Sequence, residues 1–170
     1  MNIKKTANLL LNFAIKRLAE IFGAIISIVG VLLLISLISY SPDDPNFIFP
    51  ENTQIKNLLG FQGSFISDLF FQSVGIIAYL ISFTFIITGI NILKTKEFFL
   101  IIENIFFTII YCISGTLFFD HFYSNIFPLY INGNGGFVGN YLNQTFLNSV
   151  ILINKNLFCL LYTSPSPRDR

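Results

Sequence analysis

The sequence predicts an all-α integral membrane fold built from helical hairpins, and three observations lead to it. Charged residues make up only 11% of the chain against 54% hydrophobic. The apolar residues fall in long blocks instead of alternating with polar ones at a strand or helix period. Two glycine-led stretches also repeat one another along the chain. Soluble domains carry roughly 25% charged residues, so too few charges remain here to cover a water-facing surface. Lipid is the solvent these blocks require.

Residues 21–40, IFGAIISIVGVLLLISLISY, carry no charge. At about 1.5 Å per helical residue they can cross a hydrocarbon layer of about 30 Å. This is the first expected span. A second uncharged run, 69–93, lies between Asp68 and Lys94, and a third, 98–119, contains only Glu103. Glu103 lies near the start of its span and can reach toward the headgroups, so it reads as interfacial rather than as a proton or ion site.

Residues 1–20 form a basic amphipathic segment. Lys4, Lys5, Lys16 and Arg17 are interleaved with Leu9, Leu10, Leu11, Phe13, Ala14 and Leu18, which suits a helix lying on an anionic membrane surface. A cleaved signal peptide has the same general form. Here the apolar run is longer than a usual signal core and ends in SYSPDDP, without a small-x-small cleavage site.

Lysine and arginine accumulate on the cytoplasmic side of membrane proteins. The amino-terminal segment carries four of them, and the link between spans two and three carries Lys94 and Lys96. The segment 41–68 has only Lys56 against Asp43, Asp44, Glu51 and Asp68, and Asp120 and His121 follow the third span. A cytoplasmic amino terminus with both long loops outside is therefore expected. Those loops gather aromatic and turn residues, Asn46, Phe47, Phe49 and Pro50 in one, Tyr123, Phe127, Pro128 and Tyr130 in the other.

The repeat pairs GFQGSFISDLFFQSV, beginning at Gly60, with GFVGNYLNQTFLNSV, beginning at Gly136. Gly60, Phe61, Gly63, Phe70, Ser73 and Val74 recur at constant spacing as Gly136, Phe137, Gly139, Phe146, Ser149 and Val150. Each copy should open a short interfacial helix, 60–68 and 136–144. Phe61, Phe65 and Ile66, like Phe137, Tyr141 and Leu142, would face lipid, with Gln62, Ser67, Asn140 and Asn143 in water. Two hairpins imply four spans. Lys155 displaces the fourth to a start near Asn156, and the tail LYTSPSPRDR, 161–170, turns abruptly polar and resembles a translated adapter scar. The expectation is a membrane domain over 21–160 with three complete spans and a truncated fourth, and an artefactual tail.

Little in the chain suggests chemistry. One histidine, no CxxC or HExxH spacing, and two cysteines, Cys112 and Cys159, within apolar runs give no metal site and no disulfide. A net charge of +1 offers no electrostatic footprint for DNA. Asp43 and Asp44, between the helix-stopping Pro42 and Pro45, read as a solvated turn. Small residues suggest close helix packing, along Gly23, Ser27 and Gly30 in the first span and along Gly75, Ala78, Ser82 and Gly89 in the second.

One group of features carries a family likeness. It comprises the basic start, the run Ser39, Tyr40, Ser41, Pro42, Asp43, Asp44 and Pro45, the loop leading to Gly60 and Gly63, and DLFFQxxGxxAY from Asp68 to Tyr79. Together they resemble the amino-terminal membrane domain of FtsK/SpoIIIE-type DNA translocases, from about residue 10 to residue 156. The resemblance implies four spans and anchoring at the bacterial inner membrane and division septum. It further implies divisome membrane proteins as partners, a homo-oligomeric parent, and a cytoplasmic motor in that parent using ATP and Mg to move chromosomal DNA. This sequence departs from the pattern in having no GxxxxGK[ST] loop, no Walker-type acidic strand and no winged helix. The expectation is thus a non-enzymatic anchor fragment, without cofactor and without direct nucleic-acid binding. The alternative is a small channel or transporter subunit, because hairpin repeats also build transporters. Its polar groups would have to be Glu103, Gln72 and Asn91, which lie near span ends.

Overall fold

The computed structural model describes residues 3–45, 55–123, 132–147 and 149. The described residues form helices, turns and bends, with no strand among them. The expected fourth span, Lys155 and the tail lie outside the described residues. So do the loop residues Asn46, Phe47, Phe49, Pro50, Phe127, Pro128 and Tyr130.

Helix α1, Ile3–Ile38, runs unbroken for 36 residues, about 54 Å. The basic segment and the first span are therefore parts of one continuous helix. No proline lies between Ile3 and Ile38 to stop it. Beyond Ile38, Pro42 and Pro45 bracket a turn in which the Asp44 amide donates to the Ser41 carbonyl at 3.2 Å.

Helix α2 is Gly60–Val74. Its first residue has φ 67°, which glycine adopts without a Cβ clash. The helix stops at Gly75, φ 61°, followed by a single 3₁₀ turn, Gly75–Ile77, and then by α3, Ala78–Thr95. Residues 69–93, expected as one uninterrupted span, are thus divided. Leu69 to Val74 finish α2, and α3 continues with 18 residues, about 27 Å. Lys96 closes α3 in the left-handed conformation, its amide donating to the Ile92 carbonyl at 2.8 Å.

Helix α4, Phe99–Tyr123, is the third long apolar helix. Helix α5, Gly136–Leu142, also begins at a positive-φ glycine and passes into a π-helical turn, Asn143–Leu147. Three segments are long and apolar enough to cross a bilayer: Asn8–Ile38, Gly60–Thr95 and Phe99–Tyr123. The molecule is an all-α membrane domain.

Helices α1 and α3 pair antiparallel. At the α2 end of this pair lies the core, Leu33, Leu37, Phe71 and Ala78, with Tyr40, Phe70, Val74 and Tyr79 packed around it. Phe71 is wholly buried. Its ring centroid lies 4.8 Å from that of Tyr40 and 5.5 Å from that of Tyr79, within the range of favourable aromatic pairs. Helix α2 thereby caps both α1 and α3. Helix α4 buries only Thr116, so most of its surface is available to lipid or to further helices.

Candidate functional site

The motif that carries the family likeness forms one end of the bundle, and its residues share a hydrogen-bond network. Ser36 donates to the Gly63 carbonyl at 2.6 Å, joining the end of α1 to the start of α2. The Asn57 amide group donates to the Ser36 carbonyl at 3.0 Å, and its side-chain oxygen accepts the Leu59 amide at 3.0 Å. A Cβ at Gly63 would stand 2.3 Å from that same Asn57 oxygen. Only glycine leaves room for the asparagine to bridge the two helices.

Asp44 holds the network's return strand of chain. Its two carboxylate oxygens accept the Lys56 amide at 2.8 Å and the Asn57 amide at 2.9 Å, and the residue is 2% exposed. The solvated-turn reading therefore fits Asp43 alone. Asp43 is exposed and sits 3.0 Å from the Lys56 ammonium, which its hydrogen bond pushes above the usual lysine range. A buried carboxylate persists because two backbone donors replace its water. Around it, Tyr40 donates to Asp68 at 3.0 Å, Ser39 accepts the Leu58 amide at 3.2 Å, and Ser64 donates to the Pro45 carbonyl at 3.2 Å. Ser41 and Pro42 supply the turn itself.

The second glycine-led copy repeats this arrangement with different partners. A turn closes onto each leading glycine, Gly60 donating to Asn57 at 2.9 Å and Gly136 donating to Gly133 at 3.2 Å. Gly139, the counterpart of Gly63, is buried with the Thr116 carbonyl 2.5 Å from where a Cβ would stand. Asp120 receives the Asn143 amide group at 2.7 Å. The apolar residues Phe61, Phe65, Ile66, Phe137 and Tyr141 are exposed. Ser67 and Asn143, expected in water, are instead satisfied internally, Ser67 by the Gly63 and Ser64 carbonyls and Asn143 by Asp120.

Small residues bring α1 and α3 together. A Cβ on Gly89 would stand 2.5 Å from the Ser27 nitrogen and 2.6 Å from the Gly23 carbonyl, and one on Gly30 would stand 2.8 Å from the Ile86 nitrogen. Backbones approach this closely only where side chains are absent. Ala78 and Ser82 are wholly buried on α3. Gly75 does not belong to this stripe. It forms the break before α3, and its Cβ position lies 1.9 Å from the Asn134 carbonyl oxygen in the loop before α5.

At the opposite end, Glu20 bridges Arg17 and Lys96, each at 2.6 Å. Lys16, Arg17, Lys94 and Lys96 gather there, while Asp43, Asp44, Lys56 and Asp68 lie at the α2 end. Glu103 is exposed in the first turns of α4, and Asn91 is exposed near the end of α3. Gln72 meets Asn132, whose amide group donates to its side-chain oxygen at 3.2 Å. Between α3 and α4, Asn104 donates to Thr88 at 2.9 Å, and Thr84 and Tyr111 share a hydrogen bond of 2.8 Å. The span pattern did not single out these α3–α4 pairs, because an isolated polar residue in an apolar run does not reveal its partner. Among the described residues no three His, Cys, Asp or Glu side chains group closely enough to hold a metal ion.

The family model for the 4TM region of DNA translocase FtsK/SpoIIIE matches residues 15–163. The chain belongs to this family. The FtsK relatives cover the same membrane region. DNA translocase FtsK of Rickettsia typhi is 26% identical over 81% of this chain and 18% of its own length. That of Azospirillum brasilense is 36% identical over 41% of this chain and 11% of its own length. An uncharacterized protein of Haemophilus influenzae is 35% identical over 46% of this chain and 75% of its own length. This chain thus spans less than a fifth of the FtsK relatives it matches. No solved structure matches it.

Proposed function

We propose that this chain anchors a DNA translocase in the bacterial inner membrane and places it at the division septum. The family match over residues 15–163 carries the reading. The clustering of Lys16, Arg17, Lys94 and Lys96 at one end supports a cytoplasmic amino terminus, with the Asp44 rim and α2 on the outer side. DNA translocation belongs to the longer FtsK relatives by name. The role proposed for these residues is anchoring, without bound ATP, Mg or nucleic acid. Lipid, divisome membrane proteins and further copies of the chain would be its partners.

A fluorescent fusion of the chain, expressed in dividing bacteria, tests the reading. Bands at constriction sites are expected. Uniform membrane fluorescence would remove septal placement, and soluble fluorescence would remove anchoring. Cysteines introduced at Thr95 and Thr53 test orientation with a membrane-impermeant thiol reagent. Labelling at Thr53 alone is expected, and labelling at Thr95 alone inverts the topology.

A further inference from the structure

Asn57 and Asn134 tie the two glycine-led copies to the helices that precede them, but only Asn57 has its hydrogen bonds complete. Each donates its side-chain amide to a carbonyl near the end of a long helix, Asn57 to Ser36 of α1 at 3.0 Å and Asn134 to Tyr123 of α4 at 2.6 Å. Asn57 also uses its side-chain oxygen, which accepts the Leu59 amide at 3.0 Å. Asn134 is wholly buried, yet its Oδ1 meets no donor among the described residues.

A difference of one residue in spacing explains this. In both copies the leading glycine donates to the carbonyl three residues before it, Gly60 to Asn57 and Gly136 to Gly133. Asn57 thus opens its turn, and the amide two residues on is available to its side chain. In the second copy Gly133 opens the turn and the asparagine comes one place later. The amide two residues beyond Asn134 is that of Gly136, already given to Gly133. Gly135 stands where Leu59 does, one place before the leading glycine, but Gly133 has no side chain to receive its amide. Gly135 is buried, and its amide meets no acceptor among the described residues. Neighbouring residues therefore carry a buried acceptor and a buried donor, which folded proteins seldom leave uncompensated.

The geometry points to a binding site for one water molecule, which accepts from the Gly135 amide and donates to Asn134 Oδ1, doing the work that the Asn57 side-chain oxygen does in the first copy. The pair selects the ligand. A cation suits Oδ1 but is repelled by the N–H, and an anion is repelled by Oδ1, so the ligand must both donate and accept. It must also be small enough to bridge adjacent residues. Space is present, because a Cβ on Gly133 would have nothing within 4 Å. The Asp120 side chain runs alongside, its Cβ 2.7 Å from where a Gly135 Cβ would stand, and offers an acceptor for the second hydrogen. That makes about three bonds, the usual number for a buried water. Since the Asn134 carbonyl accepts the Ile76 amide, the water braces the break before α3 against the end of α4. This assignment goes beyond anchoring and does not depend on it.

Water–protein Overhauser spectra of the full chain, ¹⁵N-labelled and deuterated in deuterated detergent, test the site. Cross-peaks to water are expected at the Gly135 amide and the Asn134 side-chain amide, with rotating-frame peaks opposite in sign to the diagonal, as a held water gives. The Asn57 side-chain amide, buried with both ends bonded, should show none. Gly133→Asn supplies the missing oxygen at φ 74°, a conformation asparagine tolerates, and should remove both water peaks. The wild-type spectrum decides alone should that variant not fold. Absent water peaks at Gly135 and Asn134 would mean that the chain itself satisfies both groups, and overturn the proposal. Rotating-frame peaks of the same sign as the diagonal would mean proton exchange only, and peaks of equal strength at Asn57 would mean general hydration. Either overturns it, as do water peaks that persist in folded Gly133→Asn.

Discussion

The Asn134 carbonyl oxygen accepts the Ile76 amide at 3.0 Å, so the loop leading into the second glycine-led repeat supports the helix break that follows the first. The break frees backbone groups at the start of α3 that a continuous helix would satisfy internally. In lipid each such group left alone costs several kcal/mol. The loop before α5 supplies one missing acceptor, and Asn132 donates to the Gln72 carbonyl at 3.2 Å from the same loop. The end of the first repeat and the loop leading into the second are thus mutually dependent.

Gly75→Ala tests that dependence. The new Cβ would stand 1.9 Å from Asn134 backbone at φ 61°, so both strain and overlap oppose it. A loss of about 4 kcal/mol in unfolding free energy is expected in detergent. Gly60→Ala has φ 67° but nothing within 4 Å, and should cost only about 1 kcal/mol of backbone strain. Equal losses would show that the loop contact is unimportant.

The α1–α3 seam makes a second pair of expectations. Gly89→Ala would set a Cβ 2.5 Å from the Ser27 backbone nitrogen, and two backbones must separate to accept it. A spin-label distance measured across α1 and α3 should increase, with lower thermal stability. Gly115→Ala meets only the Ile77 side chain, its terminal methyl at 2.5 Å and Cγ1 at 3.2 Å, which can rotate away. That substitution should be neutral, or stabilise by about 0.5 kcal/mol through helix propensity. An unchanged distance in Gly89→Ala would mean that the seam is not closely packed.

Asp44 and Asp43 are neighbours with different roles. Asp44→Ala strands two backbone donors in a buried site and should cost about 3 kcal/mol, with Asp44→Asn in between because one acceptor oxygen remains. Asp43→Asn removes an exposed pair with Lys56 and should leave the melting temperature unchanged. Thermal unfolding of the three variants in one detergent checks the order. A larger loss for Asp43→Asn would reverse the assignment.

Replacing Lys4, Lys5, Lys16 and Arg17 by Gln should produce mixed topology, since each basic residue near an anionic surface contributes about 1 kcal/mol. Impermeant labelling of cysteines at Thr53 and Thr95 reads the mixture. A single unchanged topology would show that Lys94 and Lys96 suffice for orientation.

Membrane class, the three long apolar segments, the repeat and the glycines that start α2 and α5 were legible in the sequence. Each depends on a local property: the length of an uncharged run, or a residue type that alone tolerates positive φ. The tertiary structure decided what depends on distant residues meeting. Gly75 looked like a member of a packing stripe, and only the approach of Asn134 shows why the helix breaks there. Asp44 looked solvated like Asp43, and only the return of the chain at Lys56 and Asn57 buries it. Apolar runs specify where a chain enters lipid, because transfer free energy sums along the segment. They do not specify which buried donor meets which acceptor, because that pairing is fixed by how the helices cross.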